Sequence, residues 1–147
     1  KAIAFALASL GIAGLNIFDA DRVKAEALSS QLQGRLKARV TDDVAGALEG
    51  VVGVVNGTPV GMLPDRGMAV QDALLHGGLW VADAVYTPLW TPLLMAAKAK
   101  GARVMTGRDL AVYQAADAFE LLTGLKPPVD VIQNAFDAVM ASRYPAV

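Results

Sequence analysis

The sequence predicts a doubly wound α/β domain on a parallel sheet, incomplete on its N-terminal side. Short apolar segments alternate with helical stretches along the chain, the pattern of repeated strand-helix units. The segments that read as strands are apolar throughout rather than alternating, as strands covered on both faces must be. A length of 147 residues suits one domain with a real core and is short for two.

Ile3, Ala6, Leu7 and Leu10 recur at helical spacing and Gly11 follows as a C-terminal cap, giving a helix over about Ala2 to Leu10. Gly14 to Phe18 is a short apolar strand that ends at Asp19. Asp21 then caps a helix whose Ala25, Leu28 and Leu32 share one face. Ala38 to Thr41 reads as a short strand, Val44 to Leu48 as a helical turn, and Val51 to Val55 as a clearer strand. Asn56-Gly-Thr-Pro-Val-Gly61 supplies the turn-forming residues needed where the chain leaves a buried strand. Leu79 to Ala82 is the next strand and stops at Asp83. Thr91 followed by Pro92 is a helix start, with the stop at Lys100-Gly101, and Arg103 to Met105 is a further strand. Val112, Ala115, Ala116 and Phe119 form the stripe expected to pack on the sheet. After Pro127-Pro128 a last helix carries Ile132, Ala135, Phe136, Val139 and Met140.

Composition narrows the function. With 54% hydrophobic and 18% charged residues and a formal net charge of -1, the chain offers no electrostatic basis for binding nucleic acid or an anionic membrane. Its apolar runs are broken well short of the about 18 residues a membrane span requires. Cysteine is absent and His76 is the one histidine, which argues against thiolate chemistry and a histidine-built metal site. A small-molecule ligand and a cytoplasmic location are the expectation. The chain opens in mid-helix without a methionine, so we expect it to be part of a longer polypeptide.

In open α/β sheets ligands bind beyond the carboxyl ends of the strands, which directs attention to Asp19, to Asn56 through Met62, to Asp83 through Tyr86, and to Thr106-Gly107. Asp19 stands where a dinucleotide-binding fold places the carboxylate that accepts the ribose hydroxyls; an aspartate after a strand is equally a simple turn former. As a ribose ligand it would repel a 2′-phosphate and so favour NAD over NADP. Lys24 lies one turn into the next helix, within reach of the same ribose or simply solvated. Tyr86 sits at the ligand edge, where loop tyrosines more often pack than bind. Gln114 lies roughly 200° around its helix from Val112 and points away from the packed stripe, toward solvent or a cleft. His76, Trp80, Trp90, Asp42-Asp43 and Asp65-Arg66 read as turn, packing and solvated residues respectively. A glycine-rich phosphate loop should precede the first helix and is not in the sequence; Gly11 and Gly14 follow that helix and present no helix N-terminus to a pyrophosphate. No Ser/His/Asp arrangement or carboxylate pair supports a hydrolase.

Three ordered blocks resemble the shikimate/quinate dehydrogenase family: Val55-Asn-Gly-Thr-Pro-Val-Gly-Met62; Asp83-Ala-Val-Tyr86 with Pro88, Thr91 and Leu93-Leu94; and Gly107 followed by Gln114-Ala-Ala-Asp-Ala-Phe119. The resemblance runs from Lys1 to about Gly124 and is weaker over the first fifty residues. It implies a Rossmann-like sheet and reversible, NAD(P)-dependent oxidation of shikimate or quinate to the 3-dehydro ketone, in aromatic amino acid biosynthesis or quinate metabolism. By position, Tyr86 and Gln114 would touch the substrate, Thr58 and Pro59 would line the cofactor cleft, and Ala84 and Gly107 would lie near the nicotinamide. Asp19 and Lys24 match the adenosine-ribose positions, and the acidic Asp19 resembles the NAD-using, quinate-accepting branch more than the NADP-using one. Many members carry Gly-x-Gly-Met-Leu where this chain has Gly107-Arg-Asp-Leu-Ala111. The family's catalytic lysine and aspartate belong to an N-terminal substrate domain, so no residue here takes their roles.

The expected organisation is therefore a partial nucleotide-binding domain over residues 1–124 and a C-terminal helix over 125–147 that packs toward a substrate domain elsewhere in the polypeptide. The sheet's first, central strand would also lie elsewhere, and the chain is not expected to fold alone. Two alternatives stay open: a paralogue acting on a related ring acid, and a non-catalytic, ligand-sensing relative. A catalytic Lys/Asp pair in the preceding sequence would favour an enzyme, and its loss the sensor.

Overall fold

The structure, a computed structural model, describes residues 1–144. By their internal contacts Lys1–Val52 and Gly53–Val147 form two compact units, each with its own parallel sheet.

The first unit contains α1 (Ala2–Ser9), β1 (Gly14–Ile17), α2 (Arg22–Gln31), β2 (Lys37–Val40) and α3 (Val44–Leu48). β1 and β2 run parallel, with Gly14 opposite Lys37 and Ile17 opposite Val40. Ala4, Ile17, Ala25 and Leu32 form the core, and Phe5, Leu15 and Leu28 pack around it. Alanines on both α1 and α2 let the helices approach the strands closely, while Leu32 fills the space at the end of α2. The Asp21 carboxylate caps α2 by accepting from the amides of Val23 and Lys24, as its position predicts. Asn16, at the centre of β1, reaches across to α3 and donates to the Ala47 carbonyl at 3.0 Å.

The second unit contains β3 (Gly53–Asn56), β4 (Trp80–Asp83), α4 (Pro92–Ala99), β5 (Arg103–Met105), α5 (Gly107–Thr123) and α6 (Val129–Arg143). Its strands are parallel in the order β3-β4-β5, with Asn56 opposite Asp83 and Ala82 opposite Met105. Leu79, Val81, Leu93, Leu94, Ala97 and Val112 are its buried apolar centre. A Cβ on Gly53 would overlap the Trp80 indole, so that ring covers the start of β3 and is a packing residue as expected. Trp90 is exposed beside Lys98, whose ammonium lies 4.5 Å from the ring centroid.

Several expectations need correction, β1 ending at Ile17 and β2 spanning 37–40 instead of 38–41 among them. β3 spans 53–56 instead of 51–55, and β4 spans 80–83 instead of 79–82, because the polar residues Asn56 and Asp83 pair with each other and extend the ladder past the apolar run. On α5, Val112 and Ala116 are buried but Ala115 and Phe119 are exposed, since every residue from Asp117 to Thr123 lies in solvent and only the first half of the helix packs. On α6, Ile132, Phe136 and Met140 are half-buried while Ala135 and Val139 are exposed, and no residue is fully buried. The last three positions of the expected 125–147 segment lie outside the described residues.

Candidate functional site

In the second unit the carboxyl ends of β3 and β4 are joined by a buried polar network centred on Asp83, which is 2% exposed. Its Oδ1 accepts from Asn56 Nδ2 and from the Val85 amide, each at 2.9 Å, and its Oδ2 accepts from the Thr91 hydroxyl at 2.7 Å. Thr91 is the N-cap of α4, so one carboxylate ties two strand ends to a helix start. Burying a charge without partners is prohibitive, and these three donors are what make the position tenable. Asn56 in turn shapes the loop after β3: its Oδ1 accepts from the Thr58 amide at 3.0 Å and the Thr58 hydroxyl at 2.7 Å, and its Nδ2 also donates to the Val60 carbonyl at 3.2 Å. Thr58 and Pro59 are thereby held exposed at the strand's carboxyl end.

Gly107 opens α5 and is buried against the exit of β4. A Cβ there would lie 2.5 Å from the Val85 carbonyl oxygen and 2.7 Å from that of Ala84, closer than real Cβ atoms come. Only glycine permits this approach, which brings together Ala84 and Gly107, the two residues expected near the nicotinamide.

Tyr86 leaves β4 three residues after Asp83 and is 47% exposed. Its ring meets Phe136 of α6 edge-on, with centroids 5.9 Å apart and planes at 65°. Both line an open, mainly apolar cavity of about 400 Å³, with Ala111 of α5 and Ile132, Met140 and Arg143 of α6 on its walls. Gln114 is exposed and follows Ala111 by one helical turn, so the two share a side of α5. Arg108, in the first turn of α5, grips Asp137 of α6 with two hydrogen bonds of 2.7 and 2.6 Å. These bonds hold the Asp137 carboxyl below the ordinary carboxylate range and raise the Arg108 guanidinium.

In the first unit Asp19 is exposed at the carboxyl end of β1, and its Oδ1 accepts from the Asp21 amide at 2.9 Å. It is a turn former, and among the described residues its second oxygen accepts no hydrogen bond. Lys24 forms an ion pair with Asp21 at 3.3 Å, a contact that helps to lower the Asp21 pKa. Arg22 bonds to Glu26 at 2.8 Å and to Asp42. The carboxylates expected to be merely solvated have structural roles: Asp43 caps α3 through the Gly46 amide at 2.7 Å, and Asp65 accepts from the Gly67 amide at 2.8 Å. His76 is an exposed turn residue whose Nδ1 accepts from the Gly78 amide at 3.2 Å.

Sequence reasoning treated Asp83 as a strand terminus and Thr91 as a cap; their direct bond was signalled only by a buried-strand aspartate shortly before a threonine N-cap. It did not find the Arg108–Asp137 pair, whose members are 29 residues apart.

The parallel sheets, their strand ends and the glycine-opened α5 define the class as a Rossmann-like α/β fold. The family model of the shikimate 5'-dehydrogenase C-terminal domain matches residues 105–135. The chain is 37% identical over 141 residues to a quinate/shikimate dehydrogenase (NAD(+)) of Corynebacterium efficiens, covering 92% of this chain and 50% of that protein. It is 41% identical over 131 residues to a shikimate dehydrogenase (NADP(+)) of Streptomyces avermitilis, covering 86% and 45% respectively. Among solved structures, quinate dehydrogenase from Corynebacterium glutamicum in complex with NAD superposes with a TM-score of 0.85 at 34% identity, over 93% of this chain and 50% of that one. Shikimate 5-dehydrogenase from Thermus thermophilus in complex with NADP(H) and shikimate gives 0.80 at 31%, with the same coverage of 93% and 50%. The chain is similar to the C-terminal part of shikimate/quinate dehydrogenases, and it spans about half the length of the curated relatives it matches.

Proposed function

We propose that the polypeptide carrying this chain is an NAD-dependent dehydrogenase of shikimate or quinate, with this chain supplying the cofactor cleft and two substrate contacts. The observation that carries the reading is the junction of Gly107 with the carbonyls of Ala84 and Val85, which sets a helix N-terminus at the carboxyl end of β4 with Tyr86 beside it. Residues 1–124 form the nucleotide-binding part, and 125–147 the segment reaching toward a substrate domain that holds the catalytic lysine and aspartate.

In this reading a nicotinamide held against Thr58, Pro59, Ala84 and Gly107 would supply the hydride acceptor for the carbon bearing the ring hydroxyl, whose proton would pass to the lysine and aspartate of the substrate domain. Thr58 and Pro59, fixed by Asn56, form one wall for the cofactor; Ala84 and Gly107 offer backbone polar groups near the nicotinamide. The Tyr86 hydroxyl and the Gln114 amide hydrogen-bond and orient the ring acid. Asp19 accepts the adenosine-ribose hydroxyls through its remaining oxygen, and this negative charge disfavours a 2′-phosphate, which supports NAD over NADP. Lys24 already pairs with Asp21, so its contact with the ribose is the weaker assignment. A cytoplasmic location and metal-free chemistry belong to the same reading.

The test is a steady-state assay of the full-length polypeptide with shikimate and quinate, each against NAD and NADP. Turnover with NAD is the expected result. No turnover with any of the four pairs would reject the reading, and preference for NADP would reject the role of Asp19.

A further inference from the structure

We propose that the Arg108–Asp137 ion pair is a positioning device: it holds α6 on the first turn of α5 and thereby seats Phe136 against Tyr86, fixing the ring that lines the substrate side of the cleft. This rests on the dehydrogenase reading for the role of Tyr86, though not for the geometry.

Arg108 stands in the first turn of α5, where the partial positive charge of a helix N-terminus disfavours a cation. A cation there calls for compensation, which two carboxylates provide: Asp137 through a two-pronged contact at 2.7 and 2.6 Å, and Asp109 at 3.4 Å. The guanidinium and carboxylate planes match in such a fork, so the pair fixes direction as well as distance, and a lysine could not replace it. Asp137 immediately follows Phe136, so fixing one side chain sets the neighbouring turn of α6. α6 buries none of its residues fully, which leaves it without a deep apolar anchor of its own. The pair is therefore a directional polar tie between α5 and α6, beside the half-buried Ile132, Phe136 and Met140. Phe136 is the residue of α6 that meets the Tyr86 ring, and Ala111 lines the same cavity one turn along α5 from Arg108.

The test uses the full-length polypeptide in three forms: parent, Asp137→Asn, and the charge swap Arg108→Asp with Asp137→Arg. Two quantities are read: KM for the ring acid against KM for NAD, and the ring-to-ring nuclear Overhauser effect between selectively labelled Tyr86 and Phe136. The expected result for Asp137→Asn is a ring-acid KM raised roughly tenfold, a size typical of coupling between contacting residues, with KM for NAD unchanged and the ring-to-ring effect abolished. The swap should restore both. An unchanged ring-acid KM in Asp137→Asn overturns the proposal, as does a fall in kcat alone that the swap does not reverse. If the parent turns over neither acid, the dehydrogenase reading fails separately; the ring-to-ring effect then decides, its disappearance and restoration supporting the seat and its persistence overturning it.

Discussion

Asp83 is the residue on which the second unit's site depends most. Replacing it with alanine leaves the donors of Asn56, Val85 and Thr91 buried without an acceptor. Each such loss costs about 1–3 kcal/mol, so Asp83→Ala should destabilise by about 3–5 kcal/mol, while Asp83→Asn should cost less. Denaturant unfolding of the two variants checks this, and equal stability of both with the parent would contradict it. Gly107→Ala drives a methyl into the Ala84 and Val85 carbonyls, and the forced shift of α5 should cost about 1–3 kcal/mol and impair turnover. Asp19→Ala removes a charged acceptor and should lower kcat/KM for NAD by about 10- to 100-fold while narrowing the gap to NADP. At this scale the sequence was readable where a residue type has one local role, and Asp21 and Thr91 as caps and His76 as a turn residue are found in those roles. Asn56, Asp83 and Arg108 were not readable in full, because each acts through a partner that only the folded chain brings near.

Among the elements, α5 and α6 show where patterning stops being a guide. An apolar stripe on a helix predicts burial only if something lies against it, and Leu121 and Leu122 in the second half of α5 are 86% and 84% exposed. The α4 boundaries, by contrast, were legible because Thr91-Pro92 and Gly101 are local signals that need no tertiary partner. The contact between α5 and α6 carries a pH signature. Asp137 titrates lower in the folded chain than in the unfolded one, so the pair's stabilisation is complete above the unfolded carboxyl's pKa of about 4 and is lost as pH falls through the lower folded value. The stability difference between parent and Asp137→Asn should be constant near neutrality and should close as the pH falls through the lowered folded value, as thermal melts across an acid series would show. A difference that persists unchanged into strong acid would place the effect elsewhere than in this carboxylate.

For the whole molecule, strand-helix alternation and apolar strands were enough to predict a parallel α/β fold, and neighbours such as the NAD complex of quinate dehydrogenase share that architecture. Each of the two units carries its own small sheet, so residues 1–147 expressed alone should lack a single cooperative thermal transition; one sharp monomeric transition would contradict this. What composition and periodicity could not convey was the geometry that joins the three short blocks around Asn56, Asp83 and Gly107. The proposed role of these blocks is hydride transfer between a ring acid and a nicotinamide. The most direct test is to supply the full-length polypeptide with NAD and with shikimate or quinate carrying deuterium on the carbon whose hydroxyl is oxidised, and to locate the isotope by NMR. Hydride transfer puts deuterium on the nicotinamide ring of the reduced cofactor, in step with formation of the ketone. Ketone formed with the deuterium released to water, or no ketone from either acid, would contradict it.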